Sequence, residues 1–382
     1  MLHRTRFGSV IARPSVQDGF YTERIVQSWC LALHASYACA HRGECCGAWE
    51  VPAERHVIEF VRGRMRRPGK EDPFVFARAE SGETQSRIAH SAGACVFRAG
   101  NRCEIQADGG EMALPVSCRH FPRVILRDAR GTLISLSHYC PTAAALLFAP
   151  SGSLVAVSPG SSLAAREPVE GLDAPDALPP LLRPGMLADI EGYAAWERSV
   201  IDTFSESVHA GRALDTVAAV TEEIRRWTPA RGALAATVRG AFAAPREPLT
   251  RRGDSPELDM IRAMYRGDVP LDGPRRLAGT WDQAVPDDRV DLQRPVANYL
   301  AARAFGNWVA YQGHGIRSVV AWLRACYDVL RSVAPAARLG PGALTSSELC
   351  EAIRVTDMVM LHSIDSHVFA AAAVPFEKAD PA

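Results

Sequence analysis

From Ser151 to Gly185 the chain reads SGSLVAVSPGSSLAAREPVEGLDAPDALPPLLRPG, and this stretch separates two unlike halves. Proline fixes φ and removes an amide donor, while glycine and serine favour turns, so neither a long helix nor a regular strand suits it. The composition predicts an extended crossing over 151–185, between a first domain at 1–150 and a second at 186–382. Beyond it, apolar residues recur at helical spacing over 186–208, 213–227, 231–243, 256–266, 296–311, 316–333 and 345–368. Gly313-His314-Gly315 reads as a break between two of these helices.

Before the crossing the signals are shorter. In Arg123 to Ser137 the apolar run VIL and the alternating TLISLS flank the turn-prone Asp128-Ala129-Arg130-Gly131, which predicts a β-hairpin. Short strands are expected at 74–77, 95–97 and 103–105, the last two joined through Gly100-Asn101. Helices are expected before Cys39 and over 52–64. The fold class is therefore α+β: a small cysteine-rich N-terminal domain with short hairpins, followed by a mainly α-helical C-terminal domain.

Composition excludes several functions. The 382 residues are 47% apolar, ample for a core, and 43 basic side chains balance 43 acidic ones. No basic field exists to neutralise a nucleic-acid backbone, so no nucleic-acid partner is expected. No apolar run is long enough to span a bilayer. The nearest mimic of a secretory signal, WCLALHASYACA at 29–40, lacks a preceding basic cluster, so the expected location is cytoplasmic.

Seven of the ten cysteines fall in one stretch: Cys39, Cys45, Cys46, Cys95, Cys103, Cys118 and Cys140. In a reducing compartment such clustering points to a metal site rather than a disulfide framework. His34, His41, His90, His120 and His138 add further ligands of suitable softness. Cys30, Cys326 and Cys350 lie in apolar, helix-like contexts and are read as packing residues. Core packing remains the alternative for the seven as well, since no CxxC pair occurs. The run RGRMRRPGK at 62–70 reads as a solvated loop, and His362 and His367 as structural residues.

The motifs Cys45-Cys46-Gly47-Ala48-Trp49-Glu50-Val51, Cys95-Val96-Phe97, Cys103-Glu104-Ile105-Gln106, Cys118-Arg119-His120-Phe121-Pro122-Arg123 and Ser135-Leu136-Ser137-His138-Tyr139-Cys140-Pro141 follow one another in order. This succession resembles the flagellin lysine-N-methylases and the wider zinc- or iron-chelating cysteine-cluster family. Tyr193-Ala194-Ala195-Trp196-Glu197 and Asn298-Tyr299-Leu300 are similar to the helical half of those methylases. The resemblance implies an iron–sulfur cluster (or zinc) bound through Cys45, Cys46, Cys95, Cys103, Cys118 and Cys140. It further implies use of S-adenosylmethionine to methylate lysines of a protein partner, flagellin in the namesake branch. Cys39 stands at a different spacing from the family's preceding cysteines, with Ser36 and His41 near the expected places.

No GxGxxG opens a helix after a strand, so a Rossmann cofactor site is not expected. Arg119 and Arg123 are candidates to hold the cofactor's carboxylate, because guanidinium binds carboxylates bidentately. A lysine amine must be neutral to accept a methyl group, and Tyr139, Glu50 and Asp128 are the candidate bases near the cysteines in sequence. The other reading is a noncatalytic zinc- or iron-binding module whose helical domain engages a partner.

Overall fold

The computed structural model describes residues 27–40, 43–47, 51–65, 71–78, 84–91, 93–149, 154–164, 171–174, 179–245, 256–271 and 281–373. Among them no helix is long and apolar enough to cross a membrane.

The chain enters through β1 (Ser28–Leu31) and a 3-10 turn at Ala32–His34, where the sequence predicts a helix. The reason is tertiary: Cys30 pairs with both Ile134 and Val157. A short apolar run buried on both sides looks alike as strand or helix. Next come α1 (Arg55–Arg64) and the hairpin β2 (Phe74–Arg78) with β3 (Thr84–Ile88).

The expected pairing of 95–97 with 103–105 is replaced by two tighter hairpins. Strand β4 (His90–Ser91) pairs with β5 (Ala94–Cys95), and β6 (Arg98–Ala99) pairs with β7 (Arg102–Cys103) around Gly100. Ile105 is already helical, in α2 (Glu104–Gly109). Helix α3 (Val116–His120) then leads into the hairpin of β8 (Arg123–Asp128) and β9 (Gly131–Leu136), whose turn lies where the sequence places it. Helix α4 (Pro141–Leu146) follows, with Cys140 as its N-cap.

The crossing is docked on the sheet. Within it, β10 (Ala156–Val157) pairs with β1 and β11 (Leu172–Asp173) pairs with β8, which completes a five-stranded sheet in the order β10-β1-β9-β8-β11. A small ribbon of β12 (Leu181–Arg183) and β13 (Met186–Leu187) ends it.

Strand alternation gives the sheet two apolar faces. Leu31, Leu126 and Leu133 join the large core of the helical half. Cys30, Ile125, Ile134 and Leu136 point the other way, into a smaller core with Tyr37, Cys140, Ala143 and Leu163. A third core, around Val57, Phe74, Phe97 and Ile105, serves α1, α2 and the small hairpins.

The helical half comprises α5 (Ile190–Glu206), α6 (Ala210–Ile224), α7 (Leu234–Ala243), α8 (Pro256–Met264), α9 (Val290–Ala304), α10 (Ile316–Ala337), α11 (Ser346–His362) and α12 (Ser366–Ala373). The Gly313–Gly315 break falls before α10, as expected. Asp189 caps α5 by accepting from the Gly192 amide at 2.6 Å, and Thr345 with Glu348 forms a capping box on α11. Every residue of α9 from Val296 to Ala304 is buried, which makes it an interior helix.

Candidate metal centre

Three of the seven clustered cysteines, Cys95, Cys103 and Cys118, pack on the third core, and Cys46 lies close enough to act on Cys103 and Cys118. Cys46 lies in the 3-10 turn Glu44–Gly47. That turn approaches both small hairpins: a Cβ on Gly43 would stand 3.2 Å from the Asn101 carbonyl carbon, and one on Gly47 3.4 Å from the Gly93 oxygen. Cys95 ends β5, Cys103 ends β7 and caps α2, and Cys118 sits on α3. Cys95, Cys103 and Cys118 all pack against the same apolar cluster.

The electrostatics report their proximity. Burial pushes the Cys118 thiol well above its ordinary value, and Cys103, Cys46, Cys95 and Glu54 push it further. Burial likewise raises Cys103, although the backbone amides of Gln106 and Ile105 donate to its sulfur and offset part of the cost. Among the described residues no three His, Cys, Asp or Glu side chains close tightly enough to grip an ion. One buried acceptor beside them is unsatisfied. Glu54 Oε1 accepts from the Val116 amide at 3.2 Å, whereas Oε2 has no hydrogen-bond partner among the described residues.

Cys140 and Cys39 form a separate pair. Cys140 belongs to the core under the sheet, with its sulfur 3.8 Å from the Tyr37 hydroxyl and accepting from the amides of Ala143 and Thr142. Cys39 is exposed nearby and raises the pKa of both Tyr37 and Cys140. The backbone of Cys45 lies in the 3-10 turn, but its side chain, with His41 and Glu50, lies outside the described residues. His90 pairs through its backbone with Cys95, and His120 is buried at the end of α3.

The candidate cofactor arginines have partners within the chain. Arg123 donates to the carbonyls of Leu163, Ser162, Arg119 and His120, which ties the crossing to the end of α3. Arg119 donates to the Met112 sulfur at 3.4 Å. Asp128, one candidate base, is buried at the hairpin tip, where it accepts from Arg130 and from the Tyr311 hydroxyl at 2.6 Å; Arg130 also reaches Glu197. Tyr139 packs its ring against Phe121 and His362.

Sequence reasoning missed a buried polar hub where the end of β9 meets the helices. Its centre is Asp357 on α11. The Asp357 carboxylate accepts from the His138 amide and the Tyr299 hydroxyl, stands 3.2 Å from His138 Nδ1, and lies 3.7 Å from Arg303. Burial pushes the Asp357 carboxyl up, but Arg303 and the bonds from His138 outweigh it and hold it down at about 2. Burial lowers His138 and His34, so both imidazoles are neutral at pH 7. Their Nε2 atoms are 3.1 Å apart. One Nε2 donates to the other in this contact, and His138 Nδ1, although 3.2 Å from Asp357, completes no hydrogen bond among the described residues. His34 Nδ1 also has no hydrogen-bond partner among the described residues. The available signal was Asp357 on the apolar face of its helix, four residues after Ile353 and three before Met360, together with Tyr299 and Arg303 four apart.

Set against known proteins, the chain matches no family model, no curated protein and no solved structure.

Proposed function

We propose that the chain is a cysteine-cluster metalloprotein in which Cys46, Cys95, Cys103 and Cys118 hold an iron–sulfur cluster, and that it methylates protein lysines with S-adenosylmethionine. The observation that carries the metal reading is the packing of three thiols, from three separate segments, on one small core, with a fourth, Cys46, near enough to act on them. Burial and neighbouring thiols raise Cys118 and Cys103, and a soft cation reverses both penalties by taking the place of the protons. When bound through four thiolates, a cluster would supply an electron carrier. The amides of Ile105 and Gln106 are already aimed at the Cys103 sulfur, where they would steady a thiolate. The methylase activity is supported by the order of the cysteine motifs.

A noncatalytic zinc module is the second reading. It is favoured by the ligand count, because four thiolates close a tetrahedral zinc shell and leave no position for a substrate.

Purification without oxygen, followed by visible spectroscopy and assay of iron, sulfide and zinc, separates the two. Broad visible absorption with matching iron and sulfide supports the cluster; one zinc without sulfide supports the module. In either case Cys118→Ser should strip the metal, whereas Cys326→Ser and Cys350→Ser should leave its content unchanged. Full metal occupancy in Cys118→Ser would overturn the assignment.

A further inference from the structure

The segment 111–120, which brings Cys118 to the third core, is held from two sides. On the inner side Ala113 and Leu114 are buried in that core. There Glu54 Oε1 accepts from the Val116 amide at 3.2 Å, and His56 Nε2 lies 3.3 Å from the Leu114 carbonyl. On the outer side Arg119 of α3 donates through NH1 to the sulfur of Met112, in the 3-10 turn Glu111–Ala113, at 3.4 Å. Met112 is 69% exposed, and no other methionine among the described residues is exposed. A thioether is a weak acceptor, so this outer contact leaves the guanidinium poorly satisfied. Its Nε is buried and has no hydrogen-bond partner among the described residues.

We propose that Met112 is an oxidation site, and that its sulfoxide takes hold of Arg119 and tightens the segment that carries Cys118. An exposed thioether is open to a peroxide from solvent, whereas the other described methionines are at least partly covered. The co-reactant is hydrogen peroxide. The sulfur lone pair attacks one peroxide oxygen, a sulfur–oxygen bond forms as the oxygen–oxygen bond breaks, and the departing hydroxide takes the proton of the transferred oxygen and leaves as water. Sulfur gives up two electrons and the peroxide receives them. The new oxygen stands one bond length from a sulfur already in contact with the guanidinium. It is a strong acceptor where the thioether was a weak one, and NH1 and the unpartnered Nε are the donors it meets. Charge-assisted hydrogen bonds thus replace a weak N–H···S contact. The change is reversible, since sulfoxide reductases restore the thioether. This inference goes beyond the proposed function and does not rest on it.

The test exposes the full-length protein to limiting hydrogen peroxide and follows each methionine by peptide mass spectrometry. Met112 sulfoxide is expected to accumulate ahead of the sulfoxides of Met65, Met186, Met260, Met264, Met358 and Met360. Amide hydrogen exchange then reads the latch. The amides of Arg119 and Phe121, bonded to the Pro115 and Ser117 carbonyls, should exchange about tenfold more slowly after oxidation. Treatment with methionine sulfoxide reductase should restore the original rates, which separates the effect from oxidation of the thiols. Met112→Gln, whose amide oxygen stands in for the sulfoxide, should slow the same amides without any oxidant. In Arg119→Leu, Met112 should still oxidise while the exchange rates stay unchanged. Oxidation of another of these methionines first, unchanged or faster exchange at Arg119 and Phe121 after oxidation, slowing that survives the reductase, or slowing that persists in Arg119→Leu would overturn the proposal. Metal content measured on the same samples reports separately on the thiol site.

Discussion

The region around the four thiols and the region around Asp357 solve the same problem in opposite ways. In the first, residues 43–120 fold around a modest apolar cluster, with two of their three hairpins built from two-residue strands. Isolated two-stranded ribbons are marginal in water, so this region is short of stabilisation. In the second, interior helices and a sheet face supply a large apolar core, and a charged hub sits inside it with Arg303, Tyr299 and His138 converging on one carboxylate. Where the core is thin, the proposed metal would act as an external staple. Where it is thick, the fold can carry buried charge without one.

The largest expected effect tests the thin side. If a metal staples the thiol region, stripping it with a chelator should open amides over 93–120 to hydrogen exchange by several orders of magnitude, because structural metal contributes on the order of 10 kcal/mol. Amides of α9 and α10 should stay protected in the same sample. Equal exchange in both regions would erase the contrast, and an unchanged 93–120 would show that its own core suffices.

Next in size is the hub. Asp357→Ala leaves Arg303, Tyr299 and His138 without their shared acceptor and should cost about 3–5 kcal/mol, read by denaturant unfolding. The acid limb has a definite sign. The folded carboxyl, at about 2, lies below its unfolded value of about 3.9. Its contribution, roughly 2–3 kcal/mol, is therefore complete above the unfolded value and lost as pH falls through the folded one. Acid unfolding of Asp357→Asn should lack that component.

The smallest effect sharpens the boundary of the stable side. Thr345→Ala removes the side-chain cap of α11 and should cost about 1 kcal/mol, seen as a small shift in midpoint at unchanged cooperativity.

Legibility in the sequence followed the same divide. Most helices after 186 and the β8–β9 hairpin were readable because their apolar residues repeat at 3.6 or 2 over enough positions to distinguish the two periods, but the run expected as one helix over 345–368 is two, α11 and α12, and the one expected over 296–311 ends at Ala304. Strand β1 was not, since WCLAL is apolar at nearly every position and its partners lie about a hundred residues away. The cysteines announced themselves by number. Their sorting, with Cys118 in one core and Cys140 in another, depends on which sheet face and which turn each occupies. The hub was the least visible, because His34, His138 and Asp357 meet only after the whole chain has folded.

The docked crossing also changes what the two halves are. Its strands β10 and β11 occupy both outer positions of the sheet, each only two residues long. Gly171 lets the second approach: a Cβ there would stand 2.6 Å from the Ile125 oxygen. A long, uncovered outer strand is a template for pairing with another chain, and very short guards at the rim are a common defence. The segment that looks like a spacer therefore serves as a selvedge, the woven border that keeps a fabric from unravelling. Cutting the chain at 150 would release an N-terminal piece whose β1 and β8 were both open to self-association.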